Sequence, residues 1–489
     1  MYLYKYTKGR YRYAELLTSK RAGKKTSKDS INLGRIIDED GMIFRNRKDG
    51  CFRYDPETGT KTKIENPRKN ELPAAVDFGD SFFIGEVMKS LKIDSIIDGL
   101  TAQDSDSLKA IVTYYLCSQN PNVYANEWLA GNYARFLYPK ANLSDQRISE
   151  LLKRLGTEEA KKKFLKLYYA ANDFTEGVKI LIDSTGVINS MHLSVTMVCN
   201  HNGQVSNCFR LITAIREEDS KPVYYRIIPG AVPDVSTLKK IIDVLKEYGI
   251  SISYTYVDAG YSSGININKF LDEKIDFMVR LDAKEGAYAR LKKKWSGRLE
   301  CRENYIFHNG RYFFIAEDTV EIDGHDLYAY VCKDVSSQAA QTIKNADRGT
   351  EAPVAYDIMM EAGFFIILTS KKNSCETVLH DYYIRQKIEQ SYDLSKNETN
   401  LLPVRTHSLE TLNGHMMVSF ICQVISQDVQ NRFKGEDMAQ NGILMALRNQ
   451  KALVYQSELI PLEATKKANE AYRKYKIKFP DKVKITSQS

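Results

Sequence analysis

The sequence predicts an α/β core interrupted by a β-rich insertion, with a basic β segment and a helical block before it and a helical region after it. Three observations carry that prediction. From Gly177 to Leu281, short apolar strands alternate with amphipathic helices, as in sheets built through helical crossovers. Residues 283–362 lose that alternation and carry the hairpin dipeptides Asn309-Gly310 and Asp323-Gly324 instead. An apolar strand then returns at "GFFIILTS", Gly363 to Ser370, followed at once by a helical stretch.

Length and composition set the frame. The 489 residues, 43% of them hydrophobic, suffice for several packed domains. No stretch approaches the roughly 20 apolar residues of a membrane span, and "MYLYKYTKGRYRY" has no apolar run of signal-peptide type. The expectation is a cytoplasmic protein without a membrane partner. The eight cysteines are scattered without close pairing, which suits a reducing compartment. Cys199, His201 and Cys208 come nearest to a metal cluster, but no second pair completes it, and buried thiols explain it better.

Residues 1–75 read as strands and turns: "YLYKY", "RYRYAELL", "SINLGRII" and "GMIFRNRKDGCFRYD", with Asp49-Gly50 as a hairpin signal. Met1 to Lys28 holds nine Lys or Arg, among them Arg10, Arg12, Lys24 and Lys25, against the single acid Glu15. That excess of eight equals the formal charge of the whole chain. Tyrosines 2, 4, 6, 11 and 13 are interleaved with these cations. Cations displace counterions from phosphates and aromatic rings pack on bases or backbone, so this segment is expected to touch nucleic acid. A hairpin turning at Gly9 explains the same alternation and is compatible with it. "RAGKKTS" lacks the first glycine and the leading strand of a phosphate-binding loop, so no nucleotide cofactor is expected there.

Residues 76–175 read as helices, and this region is expected to bind DNA. In "LSDQRISELLKRLG", Ser144 is the expected N-cap, Ile148, Leu151, Leu152 and Leu155 share one face, and Gly156 ends the helix. With the following "TEEAKKKFLKLYY", the pair is either a helix-turn-helix presenting Lys161, Lys162 and Lys163 to DNA or a plain part of a helical domain. Residues 176–282 hold "GVKILID" ending in Asp183, the strands "LSVTMVC", "FRLITAI" and "PVYYRIIPG", and a helix in "DVSTLKKIIDVLKEYG". Then come "ISYTYVD" ending in Asp258, the helix "ININKFLDEK" and the strand "DFMVRL". The insertion spans 283–362, the core resumes over 363–400, and 401–489 is expected to be helical with a basic tail. Asp234 is read as a helix cap rather than an auxiliary acid, and His415 as a packed histidine rather than a base.

Two strands thus end in an aspartate, and the helix after "GFFIILTS" carries a polar stripe. In "DYYIRQKIEQSYDLSKNET", Tyr382, Arg385, Glu389 and Lys396 fall within an arc of about 60° at 100° per residue. A solvated, salt-bridged face would show the same spacing. If Glu389 faces both strand ends, however, three carboxylates converge, and such anions repel unless cations neutralise them. Oxygen donors without His or Cys suit Mg2+ or Mn2+. Two such ions can activate a water or a 3′-hydroxyl and stabilise the leaving oxygen of a phosphodiester. Arg385 and Lys396 would then hold phosphates, and Tyr382 would hydrogen-bond a phosphate or stack on DNA.

The spacing of Tyr382, Arg385, Glu389 and Lys396 resembles the Y-R-E-K signature of bacterial insertion-sequence transposases of the DDE class. "LIDSTG" is similar to the family's first-aspartate strand and "YVDAGYSS" to its second. The β insertion falls where these enzymes carry one, and "LLPVRTHSLETLNGHMMVSF" is similar to the segment after the signature. The resemblance spans about Lys179 to Val424. It implies an RNase H-like catalytic core in which Asp183, Asp258 and Glu389 bind two Mg2+ or Mn2+ ions. It places Tyr382, Arg385 and Lys396 near the terminal phosphates of double-stranded element DNA. It further implies a homodimer acting on paired terminal inverted repeats and a target DNA, beside the bacterial nucleoid. Trp295 in "LKKKWSG" matches the tryptophan that some relatives offer to a flipped base, although ordinary packing explains it as well. Three functions fit this reading: a cut-and-paste transposase, a domesticated nuclease, or a catalytically inactive DNA-binding protein on the same scaffold. The intact acids favour the first, because binding alone requires no converging carboxylates.

Overall fold

The structure, a computed structural model, describes all residues except 1, 9–10, 23–24, 47, 65–73, 175–176, 202–203, 233–235, 338–361, 436–439, 456 and 486–489. At 20–22, 25–29, 199–201 and 204 it describes the backbone alone. Arg10, Lys24 and Asp234 therefore lie outside the described residues, and Lys25 enters only as the first backbone position of a strand. The chain forms two units, Met1–Ala74 and Ala75–Ser489.

The first unit is an antiparallel meander of β1 (Tyr2–Lys8), β2 (Tyr11–Ala22), β3 (Lys25–Asp38), β4 (Ile43–Asn46), β5 (Gly50–Tyr54) and β6 (Lys61–Lys63), each paired with the next. Lys8 faces Tyr11 across the expected first hairpin. Strand alternation sends Ala14, Leu16, Phe44 and Phe52 to one face, where they form a small core with Leu33. Gly34 is required between β3 and β4: its φ is +92°, and a Cβ there would lie 2.2 Å from the Arg45 carbonyl oxygen.

The second unit opens with β7 (Ala74–Asp77) and the helices α1 (Gly79–Ser90), α2 (Ile93–Leu100), α3 (Ser105–Cys117), α4 (Ala125–Gly131), α5 (Ala134–Leu137), α6 (Asp145–Leu155) and α7 (Glu158–Ala171). Next come β8 (Val178–Ile188), β9 (Met197–His201), β10 (Gln204–Arg216), β11 (Pro222–Pro229), α8 (Leu238–Glu247), β12 (Ile252–Val257), α9 (Gly264–Asp272), β13 (Asp276–Arg280) and α10 (Gly286–Trp295). They are followed by β14 (Tyr305–His308), β15 (Arg311–Ile322), β16 (His325–Asp334), β17 (Phe364–Thr369), α11 (Cys375–Ile384), α12 (Gln386–Glu398), α13 (Leu409–Arg432) and α14 (Gln440–Arg448). The unit closes with β18 (Lys451–Val454), β19 (Glu458–Pro461), α15 (Lys466–Lys474) and β20 (Val483–Lys484).

A single mixed sheet organises this unit, in the order β11-β10-β8-β12-β13-β17-β16-β15-β14, with β9 paired to β10. β10 runs antiparallel to both of its neighbours, β8 and β11, whereas β12 runs parallel to β8 and β13 parallel to β12. The remaining strands return antiparallel, so those of residues 283–362 hydrogen-bond into the same sheet through β16 and β17. Asn309-Gly310 and Asp323-Gly324 turn with φ of +47° and +75°, and +49° and +82°. Positive φ at both positions is the tight-turn geometry that matches strand twist.

Several expectations are corrected. β8 does not end at Asp183, because Ser184 to Ile188 pair with Cys208 to Ile212 of β10 and prolong it. The helix bearing the polar stripe breaks at Arg385, between α11 and α12. Residues 401–489 are not wholly helical: β18, β19 and β20 join β7 in a second sheet. Ser144 occupies the N-cap position of α6, but its hydroxyl donates to Asn142 Oδ1 at 2.9 Å instead of capping.

The pair α6 and α7 packs closely onto its neighbours, while Lys162 and Lys163 remain exposed. Tyr168 and Tyr169 donate their hydroxyls to the carbonyls of Pro222 and Val223 at 2.7 and 2.9 Å, tying α7 to β11. Lys161 Nζ donates to the Tyr225 carbonyl at 3.1 Å, and burial lowers its pKa to about 8. Lys163 Nζ donates to the Leu100 carbonyl at 3.1 Å. α6 meets α13 through two glycines: a Cβ on Gly156 would lie 1.7 Å from the Glu410 carbonyl oxygen, and one on Gly414 1.9 Å from that of Leu152. α13 is buried on nearly every side, as a central helix must be. Among the described residues, no helix is long and apolar enough to cross a membrane.

Candidate active site

In the parallel ladder of β8 and β12, Val257 pairs with Ile182. One residue further along each strand stand Asp258 and Asp183. The two acids therefore share a level on adjacent strands, about 5 Å apart at Cα by ordinary strand spacing. Asp183 lies within β8, and its Oδ1 accepts the Ser184 N–H at 2.8 Å. Asp258 leaves β12 and precedes the short 3-10 turn Ala259–Tyr261. This is the carboxyl edge of the parallel strands, where α/β sheets ordinarily hold their ligands.

α12 crosses that edge along β8. Arg385, at the break before it, places Nη1 3.0 Å from Asp258 Oδ1. Seven residues on, buried Tyr392 sets its hydroxyl between two strands, accepting the Thr213 N–H at 3.1 Å and donating to the Asp183 carbonyl at 2.6 Å. Lys396 Nζ donates to Thr185 Oγ1 at 2.7 Å, and burial lowers the lysine's pKa. Glu389 comes four residues after Arg385 and three before Tyr392, so it projects from the same stripe between the contacts to Asp258 and Asp183. Its side chain is exposed and has no hydrogen-bond or ion-pair partner among the described residues.

The three carboxylates do not form a closed cluster: among the described residues, no three acidic, His or Cys side chains are grouped closely enough to hold a metal. Charge gives a reason for the spread. Arg385 neutralises Asp258, while three anions drawn together without a further cation would repel. The donor chemistry nevertheless fits a hard divalent cation, since carboxylate oxygens alone come from two neighbouring strands and the helix across them.

The other expected residues are spread more widely. Tyr382 belongs to α11, with its ring stacked on Phe365 at 5.1 Å and its Oη 3.5 Å from Arg280 Nη1. Trp295 ends α10 half-buried and donates its indole N–H to Asp318 Oδ2 at 2.7 Å, so packing accounts for its placement. Arg12 pairs with Glu39 at 2.7 Å. His415 is buried between the Tyr115 hydroxyl at 3.2 Å and the Leu401 carbonyl at 3.3 Å, and is packed rather than catalytic. Cys208 is buried, while the side chains of Cys199 and His201 lie outside the described ones. Two residues of the site escape the four-residue signature, Tyr392 and Arg280. Tyr392 was marked by its spacing, three after Glu389 and four before Lys396; nothing in the sequence marked Arg280.

A family model described as "Transposase DDE domain" matches residues 175–425, just over half of the chain. No curated protein matches. Among solved structures, a cryo-EM structure of a piggyBac transposase synaptic complex with hairpin DNA aligns with 76% of this chain and 79% of its own, at 10% identity and a TM-score of 0.39.

Proposed function

Because the chain belongs to the transposase DDE-domain family, we propose that it is a DNA transposase that cuts the ends of its element and joins the freed 3′ ends to target DNA. The observation that carries this reading is the level placement of Asp183 and Asp258 beneath a helix whose Glu389 lies between its contacts to both strands. The strands of 176–282 and 363–400 are read as an RNase H-like catalytic domain, with 283–362 as its insertion.

Asp183, Asp258 and Glu389 would hold Mg2+ or Mn2+, two ions in the full site, which when bound neutralise charge at the scissile phosphate and acidify the attacking hydroxyl. Around these acids the chain does the positioning. Arg385 holds the Asp258 carboxylate through one N–H and keeps further donors for a phosphate oxygen. Tyr392 fixes α12 over Asp183. Lys396, partly withdrawn from water, adds positive charge beside β8, and Arg280 and Tyr382 extend the cationic and aromatic edge from β13 and α11. The DNA is read as paired terminal inverted repeats and a target duplex, bound by a homodimer.

The test is incubation of the purified protein with Mg2+ and end-labelled duplex carrying the gene's own flanking DNA. Cleavage at one discrete boundary, followed by joining of that end to a second duplex, is expected. Binding without cleavage in either Mg2+ or Mn2+ would replace this reading with that of an inactive DNA-binding protein.

A further inference from the structure

Register through the first unit places four side chains in one row: Tyr6 faces Tyr13, Tyr13 faces Arg35, and Arg35 faces Arg45. The row lies on the face opposite the Ala14, Leu16 and Phe44 core. The Tyr6 and Tyr13 rings stack at 5.7 Å, and the Arg35 guanidinium sits 3.6 Å from the centre of the Tyr11 ring. A groove of about 1030 Å³ follows the row and is also lined by Lys8 and Lys48. Among the described residues, Lys8, Arg35, Arg45 and Lys48 have no ion-pair partner. The acids nearby are already engaged: Asp49 is held by Lys61 at 2.6 Å and Asn46 at 2.9 Å, and Glu15 accepts the Tyr6 hydroxyl at 3.3 Å.

Like charges directly opposite on neighbouring strands destabilise a sheet. Arg35 and Arg45 are so placed, and Gly34 lets their strands approach closely. The arrangement is unfavourable by itself and favourable once a polyanion lies across it. By contrast, Lys5 and Arg12, cations of the basic N-terminal stretch, are both held by the one carboxylate of Glu39. The groove thus joins Lys8 of that stretch to Arg35, Arg45 and Lys48 from beyond it.

We propose that this groove binds the sugar-phosphate backbone of duplex DNA, a proposal that rests on the transposase reading and adds the surface that holds the DNA. The tyrosines stack on one another and sit half-buried, which leaves edges rather than free faces for unstacked bases. That favours a duplex backbone over a single strand.

The test measures binding of the full chain to a fluorescent duplex of flanking DNA across a salt series, comparing wild type with Arg35→Gln/Arg45→Gln, Arg35→Lys/Arg45→Lys and Arg12→Gln. Removing two phosphate contacts should lower the slope of log affinity against log salt by about 1.8 and weaken binding roughly 50-fold at 0.1 M salt. The lysine pair, which keeps the charge, should retain the wild-type slope and shows that the sheet folds; Arg12→Gln should bind as wild type. An unchanged slope in the glutamine pair, or a lost slope in the lysine pair, overturns the groove while leaving the transposase reading intact. A wild-type protein that binds no duplex overturns both, and tighter binding to phosphatidylglycerol vesicles than to duplex overturns the assignment to DNA.

Discussion

Arg385 reaches Asp258 across the break between α11 and α12, with Nη1 3.0 Å from Oδ1. The contact does two things at once: it places a cation beside an acid of the site, and it fixes how the helix carrying Glu389 begins. Arg385→Gln should lower single-turnover end cleavage by about 100-fold, the usual cost of losing one preorganised charged donor, while leaving thermal stability near wild type. Arg385→Lys should recover only part of the rate, because an ammonium cannot serve the carboxylate and a phosphate as a planar fork can. Equal rates for wild type and Arg385→Gln would remove Arg385 from the site.

Tyr392 is a positioning residue. Its hydroxyl serves the Thr213 N–H and the Asp183 carbonyl, and Tyr392→Phe strands both in a buried place. The cost should be about 1–3 kcal/mol in urea unfolding. Cleavage should also slow at saturating DNA with little change in DNA affinity, since α12 loses its anchor over Asp183. A stability loss with an unaltered cleavage rate would make Tyr392 purely structural.

Gly156→Ala tests the seam between α6 and α13. The added Cβ would meet the backbone carbonyl of Glu410 at 1.7 Å, and neither partner is a flexible side-chain end. A loss of about 1–3 kcal/mol or more is expected, measured by chemical denaturation, because overpacked backbone must move apart. An unchanged unfolding midpoint would show that the two helices are not in close contact.

Much of this was legible locally. Asn309-Gly310 and Asp323-Gly324 announce their hairpins because each turn is fixed by its own two residues. The stripe was legible as spacing, and its outcome over β8 and β12 follows from that spacing plus packing. What could not be read depends on distant partners. β8 continues beyond Asp183 because β10 pairs with it, and the short strand Lys451–Val454 exists because β7, far earlier in the chain, lies beside it. The break at Arg385 has no glycine or proline to announce it. The lysines after Gly156 looked like a basic helix face, yet Lys161 is turned onto Tyr225 by the burial of Tyr168 and Tyr169.

His415 predicts a pH dependence of stability. Burial holds its pKa at about 4 in the folded chain, below the ordinary 6.5, so the imidazole stays neutral. Its Nε2–H donates to the Leu401 carbonyl while Nδ1 accepts from Tyr115. The unfolded chain takes up a proton first as pH falls. The stability difference is therefore fully present above about pH 6.5 and is lost on acidification toward about pH 4, by on the order of 3 kcal/mol at most. His415→Gln should flatten that part of the curve. A wild-type curve that is already flat between these limits would contradict a buried neutral histidine.

Single-turnover cleavage of flanking duplex by Glu389→Gln beside wild type, at DNA concentrations where both are saturated, tests most directly whether the proposed set of Asp183, Asp258 and Glu389 acts as one metal-binding catalytic site. The substitution leaves the contacts of Arg385, Tyr392 and Lys396 untouched, so binding should be preserved while cleavage falls by at least about 1000-fold. Wild-type cleavage by Glu389→Gln would contradict the site itself.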